Sequence, residues 1–241
     1  MRYLFIFDLH NTLVKDNDLV VVNAMNYVLA ARKKNARVDI EYVRNYQAVL
    51  KPFWQYFRSV LPDASEREIE EMTLATKELC QEFLIKQHIK KMDGAEEVLQ
   101  EIKKNGDTAY VLSFSTTTSM VIYLNETGLG RYVDKMLGIE NVQEIHGNYD
   151  PAKVKAKLLE EHVKLAKAKY DKVFMIGDSV HDMKAGRSVG ATNIYFTNTG
   201  EVLDIADYST DKLQDIIKIA YSARVSAGQI LATLKDKEPE G

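Results

Sequence analysis

Two short, largely apolar runs, each leading into an aspartate, constrain the fold of this chain more than any other feature. The first run, residues 3–7, leads into Asp8, and the second, residues 172–176, leads through Gly177 into Asp178. Such runs are typical of strands buried on both faces of a parallel sheet. The carboxyl ends of parallel strands lie at one edge of the sheet, where ligands bind. We therefore expect the two carboxylates to share one site.

The second half of the chain alternates between helical and strand-like patterns. Helices are predicted over residues 95–104, 116–125, 151–168, 182–189 and 211–235, and strands over residues 108–112, 172–176 and 192–196. Strands that alternate with helices favour a parallel sheet with helices on both faces. The sequence thus predicts an α/β fold, a doubly wound parallel sheet of the Rossmann-like kind.

A different pattern separates the first strand from this alternating region. No glycine occurs between Met1 and Asp93, and apolar residues recur at spacings of three and four, which is typical of amphipathic helices. Ser65 is expected to cap one of these helices. We predict a helical cap domain over residues 16–90, inserted after the first strand of a discontinuous core that comprises residues 1–15 and 91–241.

The composition argues against several classes of protein. The net charge of −3 gives no sign of the basic face that nucleic-acid-binding proteins carry. No apolar run approaches the roughly 20 residues of a membrane-spanning helix. The single cysteine, Cys80, excludes an internal disulfide and fits a reducing compartment. We therefore expect a cytoplasmic protein without nucleic-acid or membrane partners.

The acidic residues at the strand ends indicate a metal site. Asp8, Asp178 and Asp182 would bring three carboxylates into one pocket, where like charges repel. Mg²⁺ would relieve this repulsion, because it binds oxygen ligands and is usually held by one or two carboxylates together with water and substrate phosphate. An alternative that stays open is that Asp178 and Asp182 cap the helix after them.

Phosphoryl transfer also requires a nucleophile and groups that bind the phosphoryl oxygens. Asp8 is suited to be the nucleophile, because an ionised carboxylate can attack phosphorus and form an aspartyl-phosphate. Ser113 would donate a hydrogen bond to a phosphoryl oxygen, although it could instead cap the next helix. Lys153 or Lys155, near the start of the helix that Pro151 opens, would neutralise charge on the phosphoryl group.

These segments resemble the four motifs of the haloacid dehalogenase (HAD) superfamily, whose members are mostly phosphatases. The first motif is usually Asp-x-Asp-Gly-Thr, and family members carry a helical cap domain between the first and second motifs. The segments that resemble the four motifs are, in order, Phe7–Leu13, Val111–Ser113, Lys153 or Lys155, and Gly177–Asp182.

The resemblance implies roles for particular residues. Asp8 would be the nucleophile, and Asp178 and Asp182 would hold Mg²⁺. The residue two positions after the nucleophile normally lends its backbone carbonyl to the metal and its side chain to acid and base catalysis. That residue is His10 here, in place of the usual aspartate, and the next residue is Asn11 in place of glycine. Asparagine is among the few residues that tolerate a left-handed backbone.

The histidine leaves three hypotheses open. The first is a magnesium-dependent hydrolase of a small phosphate monoester that uses His10 as acid and base, since histidine has an ordinary pKa of about 6.5. The second is a slow or phosphate-retaining enzyme in which His10 transfers no proton. The third is a degenerate HAD domain that binds a phosphorylated metabolite or a protein partner. A 2-haloacid dehalogenase is disfavoured, because that reaction needs no metal.

Overall fold

At the centre of the molecule lies a six-stranded sheet in which all neighbouring strands are parallel. The computed structural model describes residues 1–48, 53–80, 83–139, 150–197 and 200–222. The strands of the sheet are β1 (Tyr3–Asp8), β4 (Thr108–Thr116), β5 (Lys135–Ile139), β6 (Lys172–Gly177), β7 (Thr192–Phe196) and β8 (Tyr208–Thr210). Their spatial order is β5-β4-β1-β6-β7-β8. Two further short strands, β2 (Val14–Lys15) and β3 (Lys90–Lys91), form a separate antiparallel pair.

The helices fall into two groups along the chain. The first group comprises α1 (Asn17–Ala31), α2 (Ile40–Ala48), α3 (Phe53–Val60), α4 (Glu66–Leu79) and α5 (Phe83–His88). The second group comprises α6 (Ala95–Lys104), α7 (Thr117–Glu126), α8 (Pro151–Ala166) and α9 (Val180–Ser188). Residues 215–222 are also helical. Among the described residues, no helix is both long and apolar enough to cross a membrane.

The central strand β1 is apolar because it is covered on both faces. Successive side chains of a strand point to opposite faces of a sheet. Phe5 and Phe7 accordingly belong to one buried cluster, together with side chains of α6 and α7. Leu4 and Ile6 belong to a second cluster, together with side chains of α8 and α9. Helices therefore cover both faces of the sheet, and the predicted doubly wound α/β fold is confirmed.

The helices between β2 and β3 have a buried cluster of their own. Its members come from α1 to α4 and from the connection between α1 and α2, and they include Met25, Val43, Tyr56, Phe57 and Met72. Strands β2 and β3 lie where the chain leaves and re-enters the region of the large sheet. The segment is helical, as expected from its sequence, and its assignment to a cap domain over residues 16–90 stays a prediction.

Several element bounds differ from those expected. Strand β4 continues to Thr116, because its last residues pair with β5 after a shift in register that brings Thr116 opposite Ile139. Strands β5 and β8 are short and were not predicted from the sequence. The predicted N-cap of α4 is confirmed, since the side chain of Ser65 accepts a hydrogen bond from the backbone N–H of Glu68. The predicted terminal helix is described only over residues 215–222.

Candidate active site

Three adjacent strands bring the candidate site residues to one edge of the sheet. Asp8 is the last residue of β1, and β1 lies between β4 and β6. In the register of the sheet, Asp8 is opposite Leu112, the residue before Ser113. On the other side, Asp178 comes directly after the last residue of β6. The parallel arrangement therefore gathers the polar side chains at the carboxyl ends of these strands, as the sequence led us to expect.

The three aspartates form a compact cluster. Carboxylate oxygens of Asp8, Asp178 and Asp182 all lie within 4.8 Å of one another. Burial and the two neighbouring carboxylates raise the pKa of Asp8 well above its ordinary value, against the opposing effect of Lys155. Burial and the charge of Asp182 likewise raise the pKa of Asp178 to about 7. The cluster is therefore costly to ionise without a cation.

A lysine from α8 enters this cluster. Lys155 donates hydrogen bonds to Asp8 Oδ1 at 2.6 Å and to Asp182 Oδ1 at 2.5 Å. Burial alone would lower the pKa of Lys155, but the two carboxylates outweigh that effect and raise it. Lys153, the other candidate, is exposed. Residues two positions apart point to different sides of a helix, so only one of these lysines can face the sheet.

Asp182 has a second set of contacts, which fix its orientation. Its Oδ2 accepts hydrogen bonds from the backbone N–H of Ser179 at 3.2 Å and from the Ser179 hydroxyl at 2.6 Å. In return, Ser179 Oγ accepts from the backbone N–H of Asp182, which completes a capping box at the start of α9. Asp182 therefore takes part in capping α9 as well as belonging to the cluster. Asp178 is not the N-cap residue of this helix, because that residue is Ser179.

The charge and chemistry of this cluster fit a divalent cation. The three carboxylates carry three negative charges when ionised, and Lys155 supplies one positive charge, so two negative charges remain. A single divalent cation would balance them, and oxygen ligands are those that Mg²⁺ prefers. The His10 imidazole is not part of this group. The expected contribution of the His10 backbone carbonyl stays a prediction.

The side chain of His10 points to Ser115 and Tyr123. Its Nε2 lies 2.7 Å from Ser115 Oγ, and its ring meets the Tyr123 ring edge-on at 4.8 Å between centroids. Burial, and then the positive charge of Lys155, lower the pKa of His10 to about 3. The imidazole is therefore neutral at neutral pH. The next residue, Asn11, has a φ of 58°, which agrees with the expected left-handed backbone.

Ser113 is buried, follows the residue that pairs with Asp8 in the sheet, and does not cap a helix. Its Oγ accepts a hydrogen bond from the backbone N–H of Ser115 at 3.1 Å. The N-cap of α7 is Thr116, whose side chain accepts from the backbone N–H of Ser119 at 3.2 Å. The capping alternative for Ser113 is thus excluded, and its hydroxyl is available for another role.

Several contacts near the site were not predicted from the sequence. The Asn11 side chain makes a hydrogen bond with Asp178, and the Phe114 ring lies 5.4 Å from Lys155 Nζ. Ser115 and Tyr123 contact His10 and carry no motif of their own. Ser179 could have been found, because Ser-x-x-Asp before a helix resembles a capping box. The others are recognisable only once the strands and helices are packed together.

Comparison with known proteins identifies the family. A family model of haloacid dehalogenase-like hydrolases matches residues 4–190, which is more than half of the chain. The chain therefore belongs to this family. It is 22% identical to the pyrophosphatase PpaX of Bacillus cereus over 219 residues, which cover 89% of this chain and 94% of that protein. The predictions of a HAD-superfamily hydrolase and of a phosphatase-like enzyme are thereby confirmed.

Solved structures show the same fold. A haloacid dehalogenase-like family protein from Streptococcus pneumoniae superposes with a TM-score of 0.70 at 18% identity, covering 90% of this chain and 98% of that one. CbbY from Rhodobacter sphaeroides, solved in complex with phosphate, also has a TM-score of 0.70, at 16% identity over 88% of this chain and 95% of that one. At these identities the likeness concerns the fold alone.

Proposed function

We propose that this protein hydrolyses a small phosphate monoester in a magnesium-dependent reaction that passes through an aspartyl-phosphate on Asp8. The observation that carries the proposal is the approach of three carboxylates to within 4.8 Å, joined by one buried ammonium group. Membership of the hydrolase family and the phosphate complex of CbbY support the choice of reaction. The alternative that Asp178 and Asp182 serve only the helix does not account for the contacts of Lys155.

Asp8 is the nucleophile in this proposal. One of its carboxylate oxygens attacks phosphorus, the bond between phosphorus and the leaving oxygen of the substrate breaks, and the leaving oxygen takes a proton from solvent, because His10 is unprotonated. A water molecule then attacks the phosphorus of the aspartyl-phosphate, the bond to Asp8 breaks, and inorganic phosphate and a free carboxylate are formed. Splitting the displacement into two steps replaces one difficult barrier by two lower ones.

Ser113 and Lys155 bind the phosphoryl group. The hydroxyl of Ser113 is buried within β4, one residue beyond Leu112, the partner of Asp8 in the sheet. Lys155 already contacts Asp8 at 2.6 Å, so a phosphoryl group on Asp8 would lie near its ammonium. Both donors would stabilise negative charge that develops on the phosphoryl oxygens in a site from which water is largely excluded.

Asp8, Asp178, Asp182 and the backbone carbonyl of His10 are the residues that would hold Mg²⁺. When bound, the cation would offset the negative charge of the carboxylates and of the substrate phosphate. Asn11 supports this arrangement, because hydrogen bonding by its side chain lowers the pKa of Asp178 and so favours the ionised carboxylate.

The proposed proton carrier is His10. Because its pKa is lowered to about 3, the imidazole is a weak base and is not protonated at the start of the reaction. It can take part in removing a proton from the attacking water. A leaving group that departs as a stable anion needs no proton from the enzyme. A phosphoanhydride has such a leaving group, and the relative PpaX is named a pyrophosphatase. Pyrophosphate is therefore our second candidate substrate.

The proposal is tested by phosphate release from a panel of sugar phosphates, aryl phosphates and pyrophosphate, with Mg²⁺ or with EDTA. We expect release with Mg²⁺ and only the background rate with EDTA. Asp8→Asn should also reduce release to background while the circular dichroism spectrum is retained. Asp63→Asn, a change at an exposed aspartate, is the matched control and should leave the rate unchanged.

Two results would contradict the proposal. Turnover of Asp8→Asn at the wild-type rate would remove Asp8 as the nucleophile. Absence of release from every substrate, together with retained binding of Mg²⁺ and phosphate, would favour the degenerate domain that binds a phosphorylated metabolite or a protein partner.

A further inference from the structure

Two side chains hold the imidazole of His10 from different directions. Ser115 Oγ lies 2.7 Å from Nε2, which is within hydrogen-bonding distance. The ring of Tyr123 meets the imidazole at an interplanar angle of 81° and a centroid distance of 4.8 Å. The hydrogen bond restricts rotation of the imidazole in its own plane, and the aromatic contact restricts its tilt.

Both of these neighbours are themselves fixed. Ser115 is a residue of β4, and its backbone N–H donates to Ser113 Oγ in the same strand at 3.1 Å. The hydroxyl of Tyr123 donates to Asn17 Oδ1 at 2.7 Å, and Asn17 is the first residue of α1. His10 is thus held by contacts with β4 and α7, and through Tyr123 these contacts extend to α1.

The hydrogen bond distinguishes the two ring nitrogens of His10. Nε2 is occupied by Ser115, whereas buried Nδ1 has no hydrogen-bond partner among the residues that the structure describes. A buried polar atom without a partner is unfavourable, and such atoms commonly find one in a ligand or a water molecule. Of the two ring nitrogens, Nδ1 is therefore the one without a hydrogen-bond partner among the described residues.

We propose that Ser115 and Tyr123 are positioning residues for His10, and that Ser115 binds Nε2 so that Nδ1 is the nitrogen available to the reacting oxygen. This inference rests on the proposed function, in which His10 exchanges a proton during turnover. Histidine has two distinct nitrogens and a larger side chain than the usual aspartate, so it needs a partner that selects one nitrogen. Ser115 is the residue whose side chain meets that need.

Kinetics of single variants test the positioning role. Ser115→Ala is expected to lower kcat about 10-fold or more and to leave KM within about twofold, because the hydroxyl contacts His10 rather than substrate. Ser115→Thr keeps a hydroxyl and should restore most of the loss. Thr118→Ala removes an exposed hydroxyl from the start of α7 and serves as the control, with wild-type rates expected.

A double-mutant cycle separates positioning from a general effect on the fold. If Ser115 acts through His10, Ser115→Ala should cause no further loss of kcat in a His10→Ala background. Tyr123→Leu removes the ring that meets the imidazole, and its effect should vanish in the same background. Losses that simply multiply in the double variants would overturn the inference.

A spectroscopic measurement tests the inference without turnover. In protein labelled with ¹⁵N at histidine, the imidazole signals missing from His10→Ala identify His10. Removal of a proton from water requires an unprotonated Nδ1, so we expect wild-type His10 to be the Nε2–H tautomer, which donates to Ser115 Oγ, and Ser115→Ala to change its tautomer ratio. An unchanged ratio would overturn the inference. Because this readout does not depend on phosphate release, a failure of the proposed phosphatase activity remains distinguishable from a failure of the positioning role.

Discussion

The protonation of Asp178 should respond to pH near neutrality. Burial and Asp182 raise its pKa to about 7, so below pH 7 a bound proton competes with a metal ion. We expect the apparent affinity for Mg²⁺ to rise by up to about tenfold per pH unit between pH 6 and 7. Isothermal titration calorimetry across pH 6–8 measures this dependence.

The raised pKa of Asp178 also affects the stability of the fold. The folded state holds the proton of Asp178 more tightly than the unfolded state, whose carboxyl titrates near pH 4. The metal-free protein should therefore lose stability as pH rises from about 4 to 7, and Mg²⁺ should restore more of it at pH 8 than at pH 6. Asp178→Asn should weaken both trends, and identical trends in that variant would show that another group is responsible.

The two lysines of α8 show how far the role of a single side chain could be predicted from the sequence. Both Lys153 and Lys155 were candidates from position in the chain, and the need for a cation near Asp8 was evident from chemistry. The choice of Lys155 depends on the face that α8 turns to the sheet, which brings together residues separated by 147 positions. The surroundings of His10 could not be predicted either, because Ser115 and Tyr123 belong to other elements.

The junction between β6 and α9 leaves no room for a side chain at Gly177. A Cβ atom there would lie 2.5 Å from Cγ of Asp182, a distance that requires the carboxylate to move. Gly177→Ala is therefore expected to displace Asp182 from Lys155 and Ser179, to reduce phosphate release strongly, and to lower the free energy of unfolding by about 1–3 kcal/mol. Urea denaturation and the phosphate-release assay measure the two effects.

Gly106 provides a contrast for this prediction. Its φ is +71°, yet a Cβ atom would meet no other atom within 4 Å. Gly106→Ala should cost about 1–2 kcal/mol of stability through backbone strain and leave phosphate release unchanged. If Gly177→Ala behaves in the same way as Gly106→Ala, the close approach of Asp182 is not what the site requires.

The elements themselves were largely predictable. Helix α6 has the expected bounds, because its apolar residues recur at helical spacing, and strand β7 has them because it is a short buried run after a glycine. The length of β4 was not predictable. Its polar end is extended by pairing with β5 after a shift in register, and that pairing is a contact between distant segments.

The protein has buried clusters on the two faces of the sheet and another among the helices between β2 and β3. Strand β1 is buried at all six residues, with strands on both sides and helices over both faces. The helices α1 to α4 share a cluster that is separate from those of the sheet. In hydrogen-exchange mass spectrometry, we expect peptides of β1 and β6 to exchange most slowly and those of α2 and α3 to exchange faster, because regions with separate cores can open locally.

A uniform exchange rate would contradict this expectation. If peptides of α2 and α3 are protected as strongly as β1 at every time point, the helical segment opens only with the sheet. The predicted division into a core and a cap domain would then lose its thermodynamic meaning.

Local patterns were sufficient to establish the class of fold and the chemistry at its edge. Runs of apolar residues favour buried strands, and parallel strands bring the residues after their carboxyl ends to a common edge, so Asp8 and Asp178 could be placed together without coordinates. Packing decided the rest. The packing of α8 on the sheet decides that Lys155 and not Lys153 is buried. The pKa of His10 depends on its burial and on the charge of Lys155, which is distant in the chain, and both effects exist only after the chain has folded.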